Sequence, residues 1–132
     1  MPTKQETFDT CAVHLLSMDH PCKKDGLCAY LNDQGQKCVI GVLIPSERYT
    51  DQFDGERICP NDPCLPIDRL MIELGHNLDL LADLQFCHDA ESIGLQSWQK
   101  HVRRILPDIA AKHGLNANVL QRTIAATTVQ PG

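Results

Sequence analysis

Aromatic side chains are scarce in this chain: three Phe, two Tyr and one Trp among 132 residues. A core built on them is excluded, so Leu, Ile, Val, Ala and Cys must fill it. No stretch approaches the roughly 18 apolar residues that a membrane-crossing helix needs. No C-x-x-C pair occurs, which removes the strongest zinc and thiol-redox signatures. A Gly-rich phosphate loop, an EF-hand spacing and a supported Ser-His-Asp arrangement are also missing. There is no internal repeat and no low-complexity tract. The opening MPTKQETFD is polar and lacks a signal-peptide apolar core. The expectation is a cytoplasmic protein that does not enter membranes and keeps its cysteines reduced. Seven cysteines is an odd count, so complete pairing within the chain is impossible.

What is present fits one modest domain. Residues 1–126 carry the periodic apolar pattern, and 127–132 read as a frayed tail. Charge is unevenly spread. From Ser97 onward the chain holds Lys100, Arg103, Arg104, Lys112 and Arg122 against the single acid Asp108. The chain as a whole is acidic, at −5. Such a division between segments often marks a partner-facing surface.

The densest strand signal lies between Cys28 and Pro45, CAYLNDQGQKCVIGVLIP. Lys37 to Ile44 is a continuous apolar, β-branched run, which fits a strand covered on both faces. Cys28 to Leu31 is a shorter candidate, and Asn32 to Gln36 is rich in turn formers. Together they read as an antiparallel hairpin. Two registers stay open. A loop over 32–36 sets Tyr30 opposite Cys38, with Cys28 and Cys38 diagonal on one face. A loop over 33–36 sets Leu31 opposite Cys38 and parts the two cysteines. Gly41 implies a bulge or a close approach by another backbone.

Helices flank this stretch. Thr3 and Glu6 form a capping box ahead of Phe8, Cys11, Ala12, Leu15 and Leu16, so 4–17 reads as a helix. Pro66 opens a second, with Ile67, Leu70, Met71 and Leu74 as its stripe and Gly75 as its stop. Asn77 or Asp79 caps a third, carrying Leu80, Leu81, Leu84, Cys87 and His88. Trp98, Val102, Ile105, Leu106 and Ile109 mark a fourth, which Pro107 should kink or divide. Gly114 stops it, and Asn116 or Asn118 caps a fifth. The fold class expected is α+β: about five helices packed around a small antiparallel hairpin.

The run C-x-Y, a short polar loop, then K-C-x-x-G-x-L-I-P is carried here by Cys28, Tyr30, Lys37, Cys38, Gly41, Leu43, Ile44 and Pro45. It resembles small proteins encoded by phages and by bacterial genomes. The stretch from Leu70 to His88 is similar to the same group, including Leu74-Gly75, Leu80-Leu81, Leu84-Gln85 and His88-Asp89. The resemblance spans most of the chain. It implies a phage-type accessory protein, acting in the host cytoplasm, and carries no activity with it.

Four groups of residues carry candidate chemistry. Zinc needs four thiolate or imidazole ligands, usually as two close pairs. Cys28, Cys38, Cys59 and Cys64 are the candidate set, with Cys22, Cys87, His20 and His88 as further candidate ligands. Cys87-His88-Asp89 contains the residue types of a thiol nucleophile. Neighbours on a helix point about 100° apart, so adjacency makes no triad. Residues 109–124 resemble a helix-turn-helix, in which Lys112, Asn118 and Arg122 would meet nucleic acid. Few phosphate contacts are available there. The Pro-rich, acidic segment 46–62 is long for a loop in so small a domain, and such loops are usually functional or disordered.

The leading expectation is a small non-enzymatic binding protein that occupies a host protein or ligand. Tyr30, Lys37, Glu47, Arg48, Tyr49, Asp51, Asp54 and Glu56 form its expected contact surface, built from the 46–62 loop and the hairpin edge. Deleting 50–62 should then remove binding and spare the fold. The alternatives are a DNA-binding regulator and a zinc-binding or thiol-dependent enzyme.

Overall fold

The chain folds as a set of packed helices, and the expected α+β class is incorrect. The computed structural model describes residues 2–18, 23–24, 27–28, 30–31, 35–53, 56–89 and 95–120. Helix α1 spans Lys4–Ser17, α2 Pro66–Glu73, α3 Leu78–Asp89 and α4 Leu95–Lys112. A further helix begins at residue 118, and the described residues end two positions on. Among the described residues, no helix is long and apolar enough to cross a membrane. The expected tail at 127–132 lies outside the described residues.

The run read as a central strand is a buried turn. Val39 and Ile40 are fully buried. The chain then coils into a 3-10 turn at Gly41–Leu43, and the Leu43 and Ile44 N–H groups donate back to Ile40 and Gly41. Those carbonyls are consumed locally and cannot build a ladder. A continuous apolar run marks burial, and burial alone does not separate a strand from a core turn. Among the described residues, pairing with the preceding segment is limited to one isolated bridge, Leu31 with Lys37, plus the Cys38 N–H on the Tyr30 carbonyl. This spacing matches the 32–36 loop alternative, but one bridge is not a hairpin. The only ladder among the described residues pairs Lys23–Lys24 with Leu27–Cys28, two residues a side. Gly41 does meet another backbone: a Cβ there would stand 2.0 Å from the Tyr30 carbonyl oxygen.

The helices form where their apolar spacing requires burial. Phe8, Cys11, Ala12 and Leu15 of α1 face Leu80, Leu81, Leu84 and Cys87 of α3, and Trp98, Val102, Leu106 and Ile109 of α4. The α1 capping box is complete, with Glu6 N–H on the Thr3 hydroxyl and Thr3 N–H on the Glu6 carboxylate. Asn77 caps α3 through the Leu80 N–H. Helix α2 ends in a Schellman motif at Gly75, φ 89°, and α4 ends in another at Gly114, φ 68°. Pro107 does not divide α4 as expected. The bond it forgoes belongs to the Arg103 carbonyl, and both residues are exposed, so water can satisfy that group.

Candidate functional site

The described part of segment 46–62 is packed onto the helical core. Two 3-10 turns, Ser46–Arg48 and Asp51–Phe53, order its first half. Phe53 and Ile58 are core residues. The Ile58 N–H donates to Gln85 Oε1 at 2.8 Å, and the Cys59 N–H to Asp68 Oδ1 at 2.9 Å. Asp68 is fully buried near the start of α2, where its other oxygen accepts the Leu65 N–H. Deleting 50–62 would therefore open the core, contrary to the sequence-based expectation.

Between this segment and α2 lies an open cleft of about 500 Å³. Arg48, Thr50, Gln52 and Phe53 make one wall; Pro66, Arg69, Leu70 and Glu73 make the other. The second wall is one face of α2, at i, i+3, i+4 and i+7. Arg48 forms an ion pair with Glu73 across the cleft mouth. The Thr50 hydroxyl accepts the Gln52 N–H and fixes that corner. Phe53 stacks edge-on with Tyr49 and with Tyr30 beneath it.

The expected contact residues divide. Arg48 lines the cleft, and exposed Glu47 sits beside it on the same turn. Tyr49 is half-buried behind Phe53, with its hydroxyl on the Leu31 carbonyl. Glu56 accepts the Ile67 N–H. Asp51 lies on the second turn; its side chain, and all of Asp54, fall outside the described residues. Lys37 is half-buried, and its carbonyl accepts from His14 Nε2 at 2.6 Å. Tyr30 is a core residue. Its hydroxyl donates to the Glu56 carbonyl at 2.6 Å and accepts from Gln85 Nε2 at 3.0 Å. Arg69, Thr50 and Gln52 were missed. The 66/69/70/73 spacing was visible in the sequence, on the face beside the stripe that reads as core and sharing Leu70 with it.

Among the described residues, the cysteines do not assemble. Cys11, Cys38, Cys59, Cys64 and Cys87 carry no disulfide. Cys38 is buried, with its sulfur on the Gly41 N–H. The Cys28 side chain, His20 and Cys22 lie outside the described residues. Among the described residues, no three His, Cys, Asp or Glu side chains stand together as a metal site would require. Nor are the buried Cys11 and Cys87 thiols activated. Burial pushes Cys87 up to about 12 and raises Cys11 as well. Cys59 is raised by desolvation and then by nearby Asp68, Cys64 and Asp62. His88 is fully buried, bonded to Asp89 at 2.8 Å and set edge-on to Trp98.

The C-terminal candidate has a helix-turn-helix outline, since α4, the Gly114 turn and a helix start at 118 follow one another. Its described basic side chains, Lys112 and His113, are occupied. Lys112 pairs with Asp83 at 2.9 Å, as does His113 at 2.7 Å. Burial alone would raise the Asp83 carboxyl, but the His113 and Lys112 hydrogen bonds prevail and lower it. Asn118 is exposed, with its N–H on Asn116 Oδ1. The turn is docked on α1 by reciprocal bonds between Gln5 and Asn116, each 3.0 Å. Arg122 lies outside the described residues.

No family model matches the chain, and neither the curated proteins nor the solved structures offer a match.

Proposed function

We propose that this is a small non-enzymatic binding protein that engages its partner through the cleft between residues 48–53 and α2. The cleft itself carries the reading. It joins two guanidiniums, a hydroxyl, an amide and an apolar floor on one open face. Pockets of this size lie within the usual range for ligand recognition. Its open form suits a group that protrudes from a larger partner. Burial holds the Cys11 and Cys87 thiols in the neutral form, which weighs against nucleophilic work by them. The motif resemblance supports an accessory role of the phage-encoded kind, with a host protein or ligand as the partner.

The test is capture from host lysate by the wild type and by Gln52→Trp, which fills the cleft from an exposed position. Gln52→Trp should lose the specifically captured species while its melting temperature stays within about 2 °C. Equal capture would remove the cleft from the account. Loss of capture on substituting Lys112 instead would favour the DNA-binding alternative.

A further inference from the structure

The two walls of the cleft are unequal in charge. Arg48 reaches from one wall to Glu73 on the other. Arg69 lies one helical turn before Glu73 on the same face of α2 and has no carboxylate partner among the described residues. The cleft thus holds two guanidiniums and one carboxylate, and only Arg48 is paired with that carboxylate. The Arg48 and Glu73 side chains are 45% and 58% exposed, so their pair sits in water, where such contacts are weak and exchangeable. A guanidinium fork matches the paired oxygens of a carboxylate or phosphate. Phe53 and Leu70 lie below as an apolar floor. In effect, the cleft already holds a carboxylate, and it is the protein's own.

We infer that the cleft receives an oxyanion, a carboxylate or phosphate carried by the partner, between Arg48 and Arg69, with Glu73 as an internal competitor that the ligand displaces. This rests on the cleft being the binding surface. The charge at position 73 then sets affinity with a sign opposite to that at 69. If Glu73 served only to hold the two walls together through Arg48, Glu73→Gln would loosen the cleft and weaken binding instead. The chain as a whole is acidic, at −5, so attraction for anions at the cleft is local and is screened by salt.

The experiment follows arginine Nε–H resonances of the full chain. The titrants are benzoate, inorganic phosphate and, separately, an acetylated glutamate-rich peptide. Saturable shifts are expected in the wild type. Glu73→Gln should bind more tightly, by roughly two- to fivefold, and Arg69→Gln more weakly by a similar factor. Added salt should weaken every complex. Binding of benzoate or phosphate identifies a free small anion as sufficient; binding of the peptide alone identifies a protein carboxylate, and both support the inference. No saturable shift in either the wild type or Glu73→Gln overturns it, as does unchanged or weaker binding by Glu73→Gln. If Gln52→Trp still abolishes partner capture in that case, the cleft remains the binding surface and only its oxyanion chemistry falls. If Gln52→Trp has no effect either, both fall.

Discussion

The Tyr30 hydroxyl accepts a hydrogen bond from Gln85 Nε2 at 3.0 Å, deep between α3 and the segment that forms the cleft. The same amide takes the Ile58 N–H through its oxygen, and the same hydroxyl donates to the Glu56 carbonyl. One side-chain pair therefore fastens residues 56–58 to the helical core. Burial also raises the Tyr30 hydroxyl, which stays protonated and able to donate. Tyr30→Phe should leave the Glu56 carbonyl and one Gln85 donor unpaired in a buried site. The expected cost is about 1–3 kcal/mol. Denaturant unfolding measures it, and a Tyr30→Phe protein of unchanged stability would refute this role.

Gly41 lies against the Tyr30 carbonyl, which also accepts the Cys38 N–H. A methyl group at 41 has no room unless backbone moves. Gly41→Ala should therefore destabilise the fold by about 3 kcal/mol, at the upper end for overpacking. Thermal unfolding of the variant gives the answer directly. A small effect would mean that the 39–43 turn shifts freely.

Thiol reactivity should follow exposure. Cys64 is exposed and Cys59 partly so, whereas Cys11, Cys38 and Cys87 are buried. Of these five, a maleimide should label Cys64 first in the folded chain at about pH 8. Cys87, held near 12 by burial, should be labelled only on unfolding. Mass mapping of the adducts distinguishes the sites. Rapid labelling of Cys87 in the native chain would revive a thiol enzyme.

Burial lowers the His76 imidazole from its usual value near 6.5. Its Nδ1 shares a 2.8 Å hydrogen bond with the buried Thr7 hydroxyl. A base depressed in the folded state binds fewer protons folded than unfolded. Its contribution is therefore full above the unfolded value and declines as pH falls below it, towards the folded one. Stability should drop between about pH 7.5 and about pH 5.5, and His76→Gln should lose less over that span. Equal losses would place the pH dependence elsewhere.

The helical part of this fold was legible because its signals are local. The Thr3–Glu6 box, Asn77, Gly75 and Gly114 each act within one turn of the backbone, and all stand at helix ends. The Lys37–Ile44 run misled because an apolar string reports burial without reporting geometry. Its turn is set by the Tyr30 carbonyl, which no local rule supplies. The site was half legible. Arg48 stood out on an acidic segment, but Arg69 and Glu73 lie on the side of α2 away from its apolar stripe. Only the packing of residues 48–53 against that face makes them a site. Phe53 and Ile58 show the converse, since a segment read as exposed loop carries two core anchors.

The central claim is that residues 48–53 and α2 receive the partner. Hydrogen exchange of the full chain, alone and with its captured partner, tests this most directly. The account predicts slowed exchange in the peptides covering 46–58 and 66–75, with little change at 109–120. Protection centred on 109–120, with 46–58 unaffected, would contradict it and move the interface to the C-terminal helices.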